Sequence, residues 1–247
     1  MKKNNNIIVV GDVMLDSWIN GKLSKPSAEA PIKIFEKEND NFSLGGAGNL
    51  VLNLKKLNLK FLFYTSFGKD AAGYKIKKLL KNKKIKYINI ENKKTPIKNR
   101  YFHNNIQIFR EDIEENYINK KVGSLMLKKV KKKDIVILSD YKKGIIYNKF
   151  HSNLIKKKCI TFVDPKNKPF FYKNAFLVKP NMKKFNEWCG KFSKSKAFLL
   201  IKRMKWEWLI ITDGSRGVHV FNKYNMYNHY KVPFIKNPNV VGAGDIF

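Results

Sequence analysis

Ile7-Ile8-Val9-Val10-Gly11-Asp12 is the stretch that decides the fold. Four β-branched residues in a row suit a strand buried on both faces, and Gly-Asp ends it. The pattern recurs along the chain. Leu50, Val51, Leu54 and Leu57 share one face of a helix beginning near Ala47. Phe61 to Tyr64 is the next strand. A helix marked by Ile76, Leu79 and Leu80 precedes a strand at Tyr87 to Ile90, and Ile118, Val122, Leu125 and Val130 suit another helix. Further strands are predicted at Ile135 to Leu138, Ile160 to Val163, Phe176 to Val178 and Leu209 to Ile211. Short apolar strands alternating with helices predict an α/β fold: a doubly wound, mainly parallel sheet with helices on both faces.

Two segments break the alternation. Pro31 to Phe35 and Ile97 to Arg110 alternate in polarity, the second with a turn at Asn104-Asn105. Both read as strands of a small antiparallel sheet. Its placement is as a lid, about residues 17–44 and 96–111, over the crevice at the strand carboxyl ends, where open α/β sheets bind ligands. One domain is expected over residues 1–247, with no internal repeat or linker.

Composition bounds the function. A chain of 247 residues with 43% hydrophobic residues can bury a sizeable core. Its formal charge of +32 points towards polyanions, yet 47 of its 51 basic residues are lysine and 28 residues are asparagine. That pattern fits an AT-rich coding bias better than a nucleic-acid surface, which favours the planar arginine fork. Nonspecific, salt-sensitive binding of nucleic acid is the expectation. Cys159 and Cys189 form no metal or redox motif, and Cys159 reads as a buried thiol. His103, His151, His219 and His229 lack ligand spacing and read as surface or lid residues, against a zinc site or a Ser-His-Asp triad. No apolar run reaches the ~18 residues of a membrane span, and the expected location is the cytoplasm.

Several clusters could carry chemistry. Gly242-Ala243-Gly244 lets backbone amides crowd an anion, and Asp245 beside it can take a proton from an attacking hydroxyl. Asp12 and Asp16 lie at the ligand edge. Asp12 has two readings, an acceptor of substrate hydroxyls or the cap of a turn. Gly45-Gly46-Ala47-Gly48-Asn49 opens a helix, either as tight packing or as a seat for anions and hydroxyls. It lacks the third glycine of the dinucleotide fingerprint, and no Walker pattern occurs in the chain. Lys98 and Arg100 share one strand face, and with Arg110 nearby could clamp a phosphate. Thr212-Asp213-Gly214-Ser215-Arg216-Gly217 is either a plain hairpin or a loop along nucleotide phosphates.

In order and spacing, these motifs resemble the ribokinase/PfkB family of sugar kinases over essentially the whole chain. The Gly45-Gly46-Ala-x-Asn49 and Gly242-Ala-Gly-Asp245 motifs carry the general likeness. Gly11 to Asp16, Ser27 to Ile32, Leu138-Ser139-Asp140-Tyr141 with Lys143-Gly144, Val163 to Lys166, and Pro180-Asn181 are similar to the heptose-phosphate kinase domains within it. The resemblance implies ATP and Mg²⁺ as cofactors. It also implies phosphorylation of D-glycero-β-D-manno-heptose 7-phosphate at O1, a step towards lipopolysaccharide. Asp245 would be the general base and Gly242, Ala243 and Gly244 the anion hole. Asp12, Asp16, Gly45, Gly46 and Asn49 would hold the sugar, and Lys98, Arg100 and Arg110 its phosphate. Asn181, Thr212, Gly214 and Gly217 would lie along ATP, and the lid would pair two copies into a homodimer.

Three departures bear on that reading. Lys184 stands where the family's Asn-x-x-Glu motif has its glutamate, with Glu187 one turn on. Asn239 and Val241 replace an Asp and a Thr/Ser, altering the expected monovalent-cation site. The sequence stops at Phe247, so a C-terminal part of the domain is expected to be missing. A degenerate sugar- or nucleotide-binding relic is the alternative, and a basic nucleic-acid-binding protein a third.

Overall fold

The computed structural model describes residues 6–115, 119–147 and 149–233. β1 (Ile7–Gly11) is central in its sheet, with β4 (Phe61–Thr65) on one side and β8 (Ile135–Ser139) on the other, all parallel. Outward from β4 comes β5 (Tyr87–Asn89). Outward from β8 come β9 (Ile160–Asp164), β10 (Leu177–Val178) and β11 (Trp208–Thr212), also parallel. Antiparallel β12 (Val218–Asn222) and β13 (Tyr227–Tyr230) complete this edge.

The alternation of β1 explains the two layers of helices. Ile8 and Val10 point to one side with Val136 and Leu138, and Val9 to the other with Phe63. On the Val9 side lie α1 (Ala47–Lys56) and α2 (Ala71–Asn82), burying Val51, Leu54, Ile76 and Leu80. On the Ile8 side lie α3 (Lys120–Lys129), α4 (Phe150–Lys156), α5 (Met182–Cys189) and α6 (Lys194–Met204). They bury Val122, Met126, Phe150, Leu154, Phe185, Leu200 and Ile201. Asp70 caps α2 by accepting from the Gly73 amide at 2.8 Å.

The second sheet has the order β3-β2-β6-β7: β2 (Val13–Pro26), β3 (Lys33–Gly46), β6 (Ile97–His103) and β7 (Ile106–Ile113). It is mixed rather than antiparallel, because β2 runs parallel to β6 while β2/β3 and β6/β7 are hairpins. Asn104 and Asn105, both at positive φ (49° and 63°), make the β6/β7 turn. The strand predicted from Pro31 begins at Lys33, and Asp16 lies within long β2 rather than at the end of β1.

Two smaller expectations are corrected. His151 and His219 are buried, at 3% and 8% exposure, because ring stacking and a Thr161 hydroxyl take them into the interior. Desolvation lowers the His151 pKa to about 4. Cys159 is half-buried instead of buried. Among the described residues, no helix is long and apolar enough to cross a membrane.

Candidate active site

The chain runs from β1 outward through β4 and β5, then returns to β8 on the other flank of β1. The switch in direction therefore lies between β1 and β8, where a doubly wound sheet opens a crevice at its carboxyl edge. Gly11 and Ser139 end the two strands in register, and a Cβ at Gly11 would lie 2.4 Å from the Ser139 carbonyl oxygen. Glycine brings the strand ends together and leaves Asp12 and Asp140 side by side beyond them.

Asp12 is 2% exposed, and its carboxylate accepts three backbone N–H bonds. Tyr141 and Lys143 donate to Oδ2 at 3.1 and 3.0 Å, and Ile145 donates to Oδ1 at 3.2 Å. Burial raises its pKa to about 6, against the lowering effect of those amides. The turn-capping reading of Asp12 is the one this geometry supports. Its carbonyl oxygen also accepts from the Ala47 amide at 3.0 Å, which ties the start of α1 to the end of β1.

Asp16 extends from β2 and accepts from Arg100 on β6 at 3.0 Å, with both side chains nearly buried. A Cβ at residue 45 would lie 2.4 Å from the Asp16 Oδ2, so the carboxylate dictates glycine there. Gly46 has φ +60°, and a Cβ there would press on the Asp12 carbonyl oxygen at 2.6 Å. The glycines before α1 thus serve close packing against the two aspartates. Asn49 lies half-buried in the first turn of α1.

The three cations fall on the predicted face, because cross-strand register opposes Lys98 to Asp112 and Arg100 to Arg110. They are not equivalent. Arg100 is spent on Asp16, and Arg110 makes a bidentate pair with Asp112 at 2.6 and 2.7 Å. That pair holds the Asp112 carboxyl below its ordinary range. Lys98 makes no ion pair among the described residues, and burial lowers its pKa while Asp16 opposes that shift. Its ammonium lies 5.8 Å from the centre of the Tyr141 ring.

A second concavity, about 840 Å³, lies at the carboxyl end of β11. Asn181, Lys183, Asn186, Thr212, Gly214 and Arg216 are among its lining residues. A parallel bridge couples Asn181 to Thr212, and the Asn181 side chain caps α5 by accepting from Lys184 N at 2.7 Å. The segment 212–217 joins antiparallel strands, so it is a hairpin that also lines the groove. Gly214 has φ +56° with open space around it, whereas Gly217 has φ +99° and faces the Tyr230 carbonyl. Gly217 therefore permits β12/β13 pairing and lies outside the groove lining. Lys184 pairs with Glu187 one turn along α5. Gly242, Ala243, Gly244 and Asp245, with Asn239 and Val241, lie outside the described residues.

Sequence reasoning names Leu138-Ser139-Asp140-Tyr141 with Lys143-Gly144 as a likeness but gives the loop of residues 140–145 no role beside Asp12. Its signal was Asp140 directly after an apolar strand, matching Asp12 after β1.

Residues 4–247 match the family described as pfkB family carbohydrate kinase. The chain belongs to that family. Its class is that of sugar kinases, and its fold is ribokinase-like. It is 32% identical over 254 residues to Bifunctional protein HldE of a Nitratiruptor species, covering 97% of this chain and 54% of the relative. Against the HldE of Campylobacter jejuni it is 34% identical, with the same coverage. The chain spans about half the length of the curated relatives it matches. Among solved structures it is similar to Escherichia coli phosphofructokinase-2 in complex with substrates and products, at TM-score 0.82 and 17% identity. That match covers 98% of this chain and 83% of the other. Arabidopsis thaliana ribokinase complexed with ribose and ATP matches at TM-score 0.72 and 14% identity, over 98% and 83% of the two chains.

Proposed function

We propose that this kinase transfers the γ-phosphoryl group of ATP to a sugar phosphate, D-glycero-β-D-manno-heptose 7-phosphate, at O1. The observation that carries the reading is Lys98. It is a partly buried cation without an ion pair among the described residues, on a sheet whose Asp16 and Arg100 lie beside the switch point. A phosphorylated sugar suits such a site, because one end asks for a carboxylate and the other for a cation. The HldE relatives and the motifs at Gly11 to Asp16 and Ser27 to Ile32 favour a heptose.

In this reading Asp16, with Gly45, Gly46 and Asn49 around it, orients the sugar hydroxyls. Arg100 aims Asp16. Lys98 meets the sugar's own phosphate, with Arg110 at the rim of the four-stranded sheet, which acts as the lid. Asp245 takes the proton of the attacking hydroxyl, and the amides of Gly242, Ala243 and Gly244 stabilise charge developing on the transferred group.

The groove of Asn181, Thr212 and Gly214 fits a nucleotide. Its volume of about 840 Å³ suits one, and the first turn of α5 presents backbone amides with no acidic residue. ATP would supply the phosphoryl group, and ADP would leave with the β,γ-bridging oxygen as the bond from that oxygen to the γ-phosphorus breaks. Among the described residues no group of three or more His, Cys, Asp or Glu comes together that would hold Mg²⁺ or a monovalent cation through such side chains alone. No step is routed through either. Exposed Ile34, Ile106, Ile108 and Phe109 on the lid strands support a homodimer through that sheet.

The test is ADP release by the full natural chain with heptose 7-phosphate, fructose 6-phosphate or ribose as acceptor. Preference for the heptose is expected, and equal rates with all three would remove the assignment of substrate. The Lys184–Glu187 pair favours one second reading, a relic that binds but does not turn over. Calorimetric binding of sugar phosphate without ADP release would select it.

A further inference from the structure

Asp140-Tyr141-Lys142-Lys143-Gly144-Ile145 carries an unusual backbone, with Lys142 at φ 59° and Gly144 at φ 107°. Left-handed positions turn successive amides towards a common centre, the geometry of an anion-binding nest. Here the anion is supplied by the chain itself. The amides of Tyr141, Lys143 and Ile145 converge on the Asp12 carboxylate, and that of Lys142 on Asp140 Oδ1 at 2.8 Å. Asp140 is fixed in turn by Asn167 and the Tyr172 hydroxyl. Outside the nest, the Asn119 amide donates to the Gly144 carbonyl, and the Lys143 ammonium pairs with Glu114.

The segment so held carries one large ring to the crevice. Tyr141 is half-buried at the carboxyl end of β8. A Cβ at Gly46 would touch its ring edge at 3.4 Å, and the Lys98 ammonium lies 5.8 Å from its centre. The ring therefore stands between the glycine turn before α1 and the lid cation, where one face of a sugar ring would be covered.

We propose that Asp12 is a positioning residue that fills the amide nest of residues 141–145 and so sets Tyr141 as the wall against which the acceptor sugar packs. This rests on the reading of the β1/β8 crevice as the sugar end. Asp12 does not touch the sugar. Both of its oxygens are used by the loop, and its contribution reaches the substrate through Tyr141. Burial of a sugar's C–H face on an aromatic ring gives shape selection without a hydrogen bond, and truncation of the ring removes it.

The experiment compares Asp12→Asn, Tyr141→Ala and Tyr141→Phe in the full natural chain. Amide hydrogen exchange of residues 141–145 is read without substrate, and steady-state kinetics with heptose 7-phosphate and ATP. Asp12→Asn should speed exchange of that segment about tenfold, since its amide group offers the nest one acceptor in place of two. It should also raise KM for the sugar phosphate about tenfold, with kcat and KM for ATP within about twofold. Tyr141→Ala should copy the KM effect with exchange unchanged, and Tyr141→Phe should retain the parent KM. A raised KM with unchanged exchange in Asp12→Asn would mean that Asp12 binds the sugar directly and overturn the proposal. So would an unchanged KM in Tyr141→Ala, which also tests the wall should Asp12→Asn not fold. Absence of sugar phosphorylation by the parent chain defeats the kinase reading instead, while the exchange result still decides whether Asp12 holds the loop.

Discussion

Asp12 and Asp140 at the carboxyl ends of β1 and β8, and Asp16 on β2, are 2–9% exposed, and each is tied to donors of its own chain. In the groove between α5 and β11, Asn181, Gly214 and Arg216 stand exposed, and the pairs there are short-range: Asn181 caps its own helix and Arg216 pairs with Asp213. The Asp12 and Asp16 carboxylates of the first region are held by contacts spanning 84 to 133 residues of sequence, whereas the side-chain pairs of Asn181 and Arg216 in the second reach three residues. Preorganisation of this kind suits a site that must select one acceptor and align its hydroxyl. An open groove suits a nucleotide gripped mainly through backbone amides at a helix start.

The contrast can be broken most strongly at Arg100. Arg100→Ala leaves the Asp16 carboxylate buried without its partner, and a loss of about 3–5 kcal/mol is expected in urea denaturation. Arg216→Ala, in the exposed groove, should leave the midpoint where it was. Equal effects from the two would dissolve the distinction between a buried and an open end.

Acid titration gives the next largest effect. Asp12 has a folded pKa of about 6 against an ordinary 3.8. Between those values the folded chain holds a proton that the unfolded chain has released. Stability from this group is therefore full below about pH 4 and is lost as pH rises to about 6, by about 3 kcal/mol. The charge facing it is Asp140, while the Lys143 ammonium is turned to Glu114. Denaturation midpoints of the parent and Asp12→Asn between pH 4 and 7 isolate the term, and parallel curves would show that Asp12 does not titrate there.

Ligand binding separates the two ends. Lys98→Ala should raise KM for the sugar phosphate about tenfold and leave KM for ATP unchanged, while Asn181→Ala should do the reverse. Asn181→Ala should also cost about 1 kcal/mol through loss of the α5 cap. A joint change of both constants in either variant would contradict two separate subsites.

The smallest effect lies away from both. Lys84 and Lys205 follow α2 and α6 at φ 51° and 56°, where glycine carries no Cβ penalty. Lys84→Gly or Lys205→Gly should stabilise the chain by about 0.5–1 kcal/mol each, read as a higher melting temperature with unchanged kinetics.

The same contrast governs what the sequence revealed. β1, β4, β8, β9 and β11 were legible because strands covered on both faces are continuous apolar runs. β2 was not, since Asp16, Ser17, Asn20 and Lys22 interrupt its apolar pattern and its register is set by β3 and β6. In α6 the core positions Ala197, Leu200, Ile201 and Met204 stand at helical spacing, a signal present in the sequence that the strand-led reading passes over. Alternation did place Lys98 and Arg100 on one face. It could not show that Arg100 is committed to Asp16, 84 residues away, or that the Asp12 carboxylate faces a loop more than 128 residues on. Residue type and spacing therefore nominated the candidate residues, while the division of labour among Asp12, Asp16, Lys98 and Arg100 came from the tertiary fold.

The most direct test of phosphoryl transfer to a sugar phosphate is phosphorus NMR of heptose 7-phosphate incubated with ATP and the full natural chain. The expected result is a second phosphorus on the sugar, at O1, formed in step with ADP. In Asp245→Asn its formation should slow at least ~10²-fold, with binding of both substrates retained. A sugar that keeps a single phosphorus while the parent chain binds it, or transfer undiminished in Asp245→Asn, would contradict the proposed chemistry.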